Sequence, residues 1–159
     1  MAKVIILVGK IASGKTTWVN DRKKQKQMML LSCDDLMLNL FARCLGEKHG
    51  ETERRCLKFL FGQAVELTEM GIDVVLDSGF WTKASRKAAK EYFAAMGIET
   101  NTYYFKIPDE TRIDRLERRN EQLAQSTKRE YIIEKSLLAR LDKNFEEPLP
   151  NEYDFLVTD

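Results

Sequence analysis

The residues with the plainest chemical meaning stand near the start of the chain, where Gly9-Lys10-Ile11-Ala12-Ser13-Gly14-Lys15-Thr16 fits the pattern G-x-x-x-x-G-K-[ST]. This Walker A pattern makes a phosphate cradle because glycines let the backbone turn with its N–H groups inward, and the helix that follows presents its positive end to an anion. Lys15 would reach the outer phosphates of a nucleoside triphosphate, and the Thr16 hydroxyl would help to hold its Mg²⁺. The apolar run Val4-Ile5-Ile6-Leu7-Val8 before the motif supplies the buried strand that such a loop needs, and a helical pattern follows it.

A triphosphate site also has to decide what attacks the γ-phosphorus. Asp34 and Asp35 follow the apolar stretch Met28-Met29-Leu30-Leu31, so both fall where a strand ends and a helix starts. Asp34 is the candidate base for a substrate hydroxyl, and Asp35 a candidate acceptor contact; the alternative is that one of them caps the helix. Asp77 ends a second apolar run, Val74-Val75-Leu76, and could bind Mg²⁺, hold the acceptor or cap a turn. Ser78 stands where a hydrolase often carries a glutamate, and no Asn-Lys-x-Asp base-recognition element occurs, which favours transfer over hydrolysis. Phe80 and Trp81 could stack on a planar acceptor or pack in the core.

Cations come in a cluster, Arg112, Arg115, Arg118 and Arg119, with Arg129 beyond a polar stretch. Helical spacing puts Arg112, Arg115 and Arg119 on one face. A lid over 112–130 carrying these groups would neutralise transferring phosphate when it closes; the alternative is solvated pairing with Glu117 and Glu121.

The elements that must position these groups alternate along the chain. Strands are expected over 4–8, 28–31, 72–76, 99–106 and 153–157. Helices are expected over 15–27, 52–70, 82–96, from 108 through 119, and 129–145. Thr52 and Thr82 are the expected N-caps, Gly71 and Gly97 the C-terminal stops, and Pro148 and Pro150 breakers. Strands separated by helices imply right-handed crossovers and a parallel sheet covered on both faces, with ligands at the carboxyl ends of its strands. All 159 residues read as one domain.

A net charge of +1 gives no general attraction to nucleic acid or membrane. Cys33, Cys44 and Cys56 form no C-x-x-C pair and read as reduced thiols of a cytoplasmic protein, and His49 falls in a Gly-rich turn. No apolar run reaches membrane-spanning length, and neither a signal peptide nor an obligate protein partner is expected.

Along most of its length the chain resembles the small P-loop kinases that include polynucleotide 5′-kinases, zeta-toxin-like kinases and chloramphenicol phosphotransferase-like enzymes. The resemblance rests on Gly9 to Thr16, Ser32-Cys33-Asp34-Asp35, Val74-Val75-Leu76-Asp77 with Arg86 beyond it, and Arg115-Leu116-Glu117-Arg118-Arg119-Asn120. It implies a three-layer P-loop NTPase fold with sheet order 2-3-1-4-5, Asp34 as the acceptor base, and Arg115 or Arg119 on the triphosphate. Polynucleotide kinases typically place an arginine three residues after the base; Met37 stands there, which favours a small-molecule acceptor over a nucleic-acid 5′-end.

The combined expectation is an ATP- and Mg²⁺-dependent phosphotransferase acting on a small-molecule hydroxyl, with Lys15, Asp34, Arg115 and Arg119 catalytic. Nucleotide contacts are assigned to Gly9, Ala12, Ser13, Gly14, Lys15, Thr16, Thr17, Arg112 and Arg118, and the metal to Thr16 and Asp77. Acceptor contacts are assigned to Asp35, Asp77, Phe80, Trp81 and Arg86. The alternatives are a 5′-hydroxyl polynucleotide kinase and a nucleotide-binding switch with little catalysis.

Overall fold

The computed structural model describes residues 1–41, 45–127, 130 and 132–158. Cys44 and Arg129 lie outside these residues, as does Lys128 in the expected lid. Five strands, β1 (Val4–Gly9), β2 (Met28–Ser32), β3 (Asp73–Asp77), β4 (Thr100–Phe105) and β5 (Phe155–Val157), form one parallel sheet in the order β2-β3-β1-β4-β5. The helices are α1 (Lys15–Lys23), α2 (Cys33–Phe41), α3 (His49–Glu69), α4 (Lys83–Ala95), α5 (Asp109–Ala124) and α6 (Lys135–Asp142), with a 3-10 turn at Gly46–Lys48. The expected three-layer P-loop NTPase fold and strand order are therefore present.

Strand alternation sorts the core into two layers. Val4, Ile6 and Val8 of β1, with Val74 and Leu76 of β3 and Tyr104 of β4, face Met37, Cys56, Leu60, Ala64, Ala89 and Phe93 of α2, α3 and α4. Ile5, Leu7, Val75 and Phe105 point the other way, toward Val19 and Trp18 of α1. Because β1 is covered on both faces, all six of its residues are buried, as a central parallel strand requires. Fully burying each such aliphatic or aromatic side chain contributes about 1.5–3 kcal/mol, which is what holds the strand ends, and the loops upon them, in register.

Several boundaries depart from expectation. Helix α1 stops at Lys23 rather than near Gln27, where backbone turns take over. Helix α3 begins three residues before Thr52, at His49, so Thr52 is inside the helix and its hydroxyl donates to the Lys48 carbonyl at 2.9 Å. His49 is thus not a loop residue; its Nδ1 accepts the Leu45 backbone N–H at 3.5 Å. Thr82 does cap α4, in a reciprocal pair with Ser85. Among the described residues no helix is long and apolar enough to cross a membrane.

Candidate active site

The loop between β1 and α1 is built by close approach. A Cβ at Gly9 would stand 2.7 Å from Ser13 Oγ and 3.0 Å from Phe105 Cβ, so nothing larger than glycine fits there. Ala12 and Gly14 both take left-handed backbone, at φ 61° and 89°, and Gly14 is the N-cap of α1. Lys15 crosses the loop: its Nζ donates to the carbonyls of Gly9 and Lys10, each at 3.0 Å, and to Ser13 Oγ at 3.3 Å. Burial lowers the Lys15 pKa, and Arg112 and Arg119 lower it further, while Asp77 and Asp34 act against them. Thr16 and Thr17 are solvent-exposed at the start of α1.

The carboxylates converge on this lysine from the neighbouring strand ends. Ser32 pairs in register with Asp77, so β2 and β3 finish together. The chain then turns directly into α2, and the Ser32 hydroxyl accepts the Asp35 backbone N–H at 3.2 Å. Ser32 is therefore the helix cap, and neither Asp34 nor Asp35 is needed for that task. Solvent reaches Asp34 at the cleft mouth, yet the protein around its carboxylate desolvates it and pushes its pKa up. Asp77, Glu53 and Asp35 add repulsion, and Lys15 opposes them. Desolvation likewise raises Asp77, again against Lys15.

Glu53 was not among the expected site residues. It enters because α3 passes beside α2, with the Glu53 carbonyl accepting the Cys33 thiol at 3.6 Å. Its position on a long helix carries no local motif, so only the packing of α3 on α2 reveals it. Ser78, directly after Asp77, has a buried Oγ with no hydrogen-bond partner among the described residues.

The arginines of α5 divide. Arg115 Nη1 lies 3.2 Å from the point where a Cβ on Gly14 would be, which puts its guanidinium over the phosphate loop. Arg119 acts on Lys15 electrostatically and keeps a buried Nε with no hydrogen-bond partner among the described residues. Arg118 is on the exposed side of α5 and does not join them. Arg112 is buried and donates to Asp109, Asp142 and the Ile11 carbonyl, so it braces the loop from behind rather than facing a nucleotide.

On the acceptor side, the loop after β3 takes the packing alternative for Phe80 rather than the stacking one. Phe80, with φ 46°, is 2% exposed and stacks at 6.5 Å on Phe61 inside the core, so it cannot meet an acceptor. Arg86 is also 2% exposed; Nε donates to Glu152 and Nη1 to the Phe80 carbonyl, which anchors the loop. Trp81 is half-buried, its indole folded across Gly79 and set edge-on to Phe145 at 6.1 Å.

A Mg²⁺ on such a loop takes most of its ligands from phosphate and water, with one or two from protein. The Thr16 hydroxyl and the desolvated Asp77 carboxylate fit that demand. Among the described residues no three His, Cys, Asp or Glu side chains gather as a self-sufficient metal nest.

Residues 4–148 match the model of a family described as an AAA domain. The chain belongs to the AAA domain family. No curated protein matches the chain. Solved structures do: this AAA domain superimposes on a candidate kinase from Chloroflexus aurantiacus with a TM-score of 0.73 at 18% identity, covering 99% of this chain and 84% of that one. The APS kinase CysC of Mycobacterium tuberculosis, in complex with AMPPNP and APS, gives 0.67 at 19% identity, covering 99% and 88%. Chaetomium thermophilum Kti12, in complex with ADP-AlF3, gives 0.69 at 20% identity, covering 98% and 88%. At these identities the likeness establishes the P-loop fold of the AAA domain and leaves its chemistry to the residues.

Proposed function

We propose that the protein is an ATP- and Mg²⁺-dependent phosphotransferase that moves the γ-phosphoryl group to a hydroxyl of a small molecule. The observation that carries this reading is that Ser32 caps α2, which leaves the Asp34 carboxylate available beside Lys15 and Asp77 in one cleft. A carboxylate with a raised affinity for protons beside the phosphate-binding lysine suits a general base for an acceptor hydroxyl.

In the proposed reaction the loop amides and Lys15 hold the β- and γ-phosphates. Bound Mg²⁺, on Thr16 and Asp77, supplies charge neutralisation at the phosphate oxygens. The acceptor hydroxyl gives its proton to the Asp34 carboxylate, the acceptor oxygen bonds to the γ-phosphorus, and the bond to the β–γ bridging oxygen breaks to release ADP. Arg115 and Arg119 neutralise charge on the equatorial oxygens during transfer, with α5 serving as the lid. A guanidinium already over Gly14 supports that role for Arg115.

Met37 supports a small acceptor over a nucleic-acid end. It is 1% exposed within the core, so its position on α2 offers no cation to an acceptor phosphate. The test is a phosphoryl-transfer screen with γ-labelled ATP against small hydroxyl compounds and against DNA and RNA 5′-ends. Label in a small molecule supports the proposal, label on a nucleic-acid end makes it a polynucleotide kinase, and ATP binding without transfer makes it a switch.

A further inference from the structure

Arg112 has more hydrogen bonds than any expected nucleotide contact would leave it. Its side chain is 1% exposed, and the five N–H donors of the guanidinium are all engaged. Nε and Nη2 donate to Asp109 Oδ1 at 3.2 and 2.7 Å. Nη1 donates to the Ile11 carbonyl at 2.9 Å and to Asp142 Oδ1 at 3.4 Å, and Nη2 also donates to Asp142 Oδ2. Asp109 opens α5, Asp142 closes α6 and Ile11 belongs to the phosphate loop, so one cation ties three separate segments. Lys10 Nζ, 3.5 Å from Asp109 and 4.0 Å from Asp142, adds a second cation from the loop itself. Two cations thus face two carboxylates, the compensation that a buried guanidinium needs in order to stay charged and in place.

The acceptor in the loop gives this clamp its meaning. The Ile11 carbonyl and the Ala12 N–H belong to one planar trans peptide, so they point in opposite directions. A guanidinium that holds the carbonyl from behind therefore turns the Ala12 N–H away from itself, at the residue where the loop enters left-handed backbone. We propose that Arg112, gripped by Asp109 and Asp142, is a positioning residue that presets the Ile11–Ala12 peptide so that the Ala12 amide meets a phosphate oxygen. This rests on reading the loop as the triphosphate site. It also makes the end of α6 part of the nucleotide site without touching nucleotide.

The test compares wild type with Asp142→Asn and Arg112→Lys. Amide hydrogen exchange is read in the nucleotide-free protein at the phosphate loop, with the β1 amides as internal reference, and ATP affinity is read by calorimetry. Asn retains the shape of Asp142 but not its charge, and Lys reaches fewer of the three segments, so both variants loosen the loop. The expected result is loop exchange faster by about tenfold with β1 unchanged, and an ATP Kd raised by a similar factor. Loop exchange within about twofold of wild type in both variants overturns the proposal. So does faster exchange spread equally over the loop and β1, which is the signature of a merely structural ion pair. If the loop loosens as expected but wild type takes up no ATP, the clamp stands and the nucleotide reading falls.

Discussion

The Ser32 hydroxyl accepts the Asp35 backbone N–H at 3.2 Å, and that single bond separates capping from chemistry at the start of α2. With the cap supplied by a serine, the two aspartates beyond it are left to the cleft. Ser32→Ala removes the cap acceptor, and an N-cap of this kind contributes about 1 kcal/mol. The expected outcome is a lowered thermal midpoint together with a partial fall in transfer, as Asp34 or Asp35 is drawn back to the helix end. Thermal unfolding and initial rates measured on the same preparation check it.

The raised pKa of Asp34 makes opposite demands on stability and activity. The folded protein binds this proton more tightly than the unfolded chain, so stability falls as pH rises from the ordinary carboxylate range through the raised value. Asp34→Asn removes that cost. It should raise the thermal midpoint at pH 7 to 8 and have little effect below the ordinary carboxylate range, where the group is protonated in both states. The rate of transfer has the reverse dependence, rising with pH as Asp34 ionises, with its acid limb above that of an unperturbed aspartate. Unfolding curves and a pH–rate profile of kcat/KM measure the two effects separately.

The division of the arginines is equally open to test. Arg115→Ala and Arg119→Ala should each lower kcat by about a hundredfold or more while the protein stays folded, since removing one group that stabilises transition-state charge has that order of effect. Arg118→Ala, on the exposed side of the same helix, should leave kcat within about twofold. Equal losses at all three positions would mean that α5 acts through its overall charge.

Burial pushes the Cys33 thiol up to about 12, with Glu53 and Asp34 adding to the shift. At pH 8 it is therefore a protonated, inaccessible thiol. Iodoacetamide should leave Cys33 and the buried Cys56 unmodified in the native protein and alkylate both after denaturation, as read by peptide mass mapping.

The parts of this site that sequence reasoning reached are those encoded locally. The phosphate loop, the strand ends and the alternation that builds two core layers all follow from short-range pattern, and the sheet order followed from the family resemblance. The Ser32 cap was not reached: the candidates for that task were Asp34 and Asp35, although a serine three residues before Asp35 and directly ahead of an apolar helix is itself a capping signal. What sequence did not disclose depends on distant partners. Arg112 looked like its neighbours on α5 until Asp142, thirty residues on, met it. Phe80 was left between stacking on an acceptor and packing in the core, because nothing local reports that its ring turns inward against Phe61. Glu53 lay inside the helix expected over 52–70, but only the packing of α3 beside α2, where its carbonyl accepts the Cys33 thiol, brings it to the site.

Phosphoryl transfer by wild type and Asp34→Asn, followed with γ-labelled ATP in parallel with ATP affinity, tests the central claim most directly. The account predicts that wild type labels a hydroxyl compound, and that the variant binds ATP within about twofold while transfer falls by at least about a hundredfold, the loss of a positioned general base. Transfer at the wild-type rate by Asp34→Asn would contradict it.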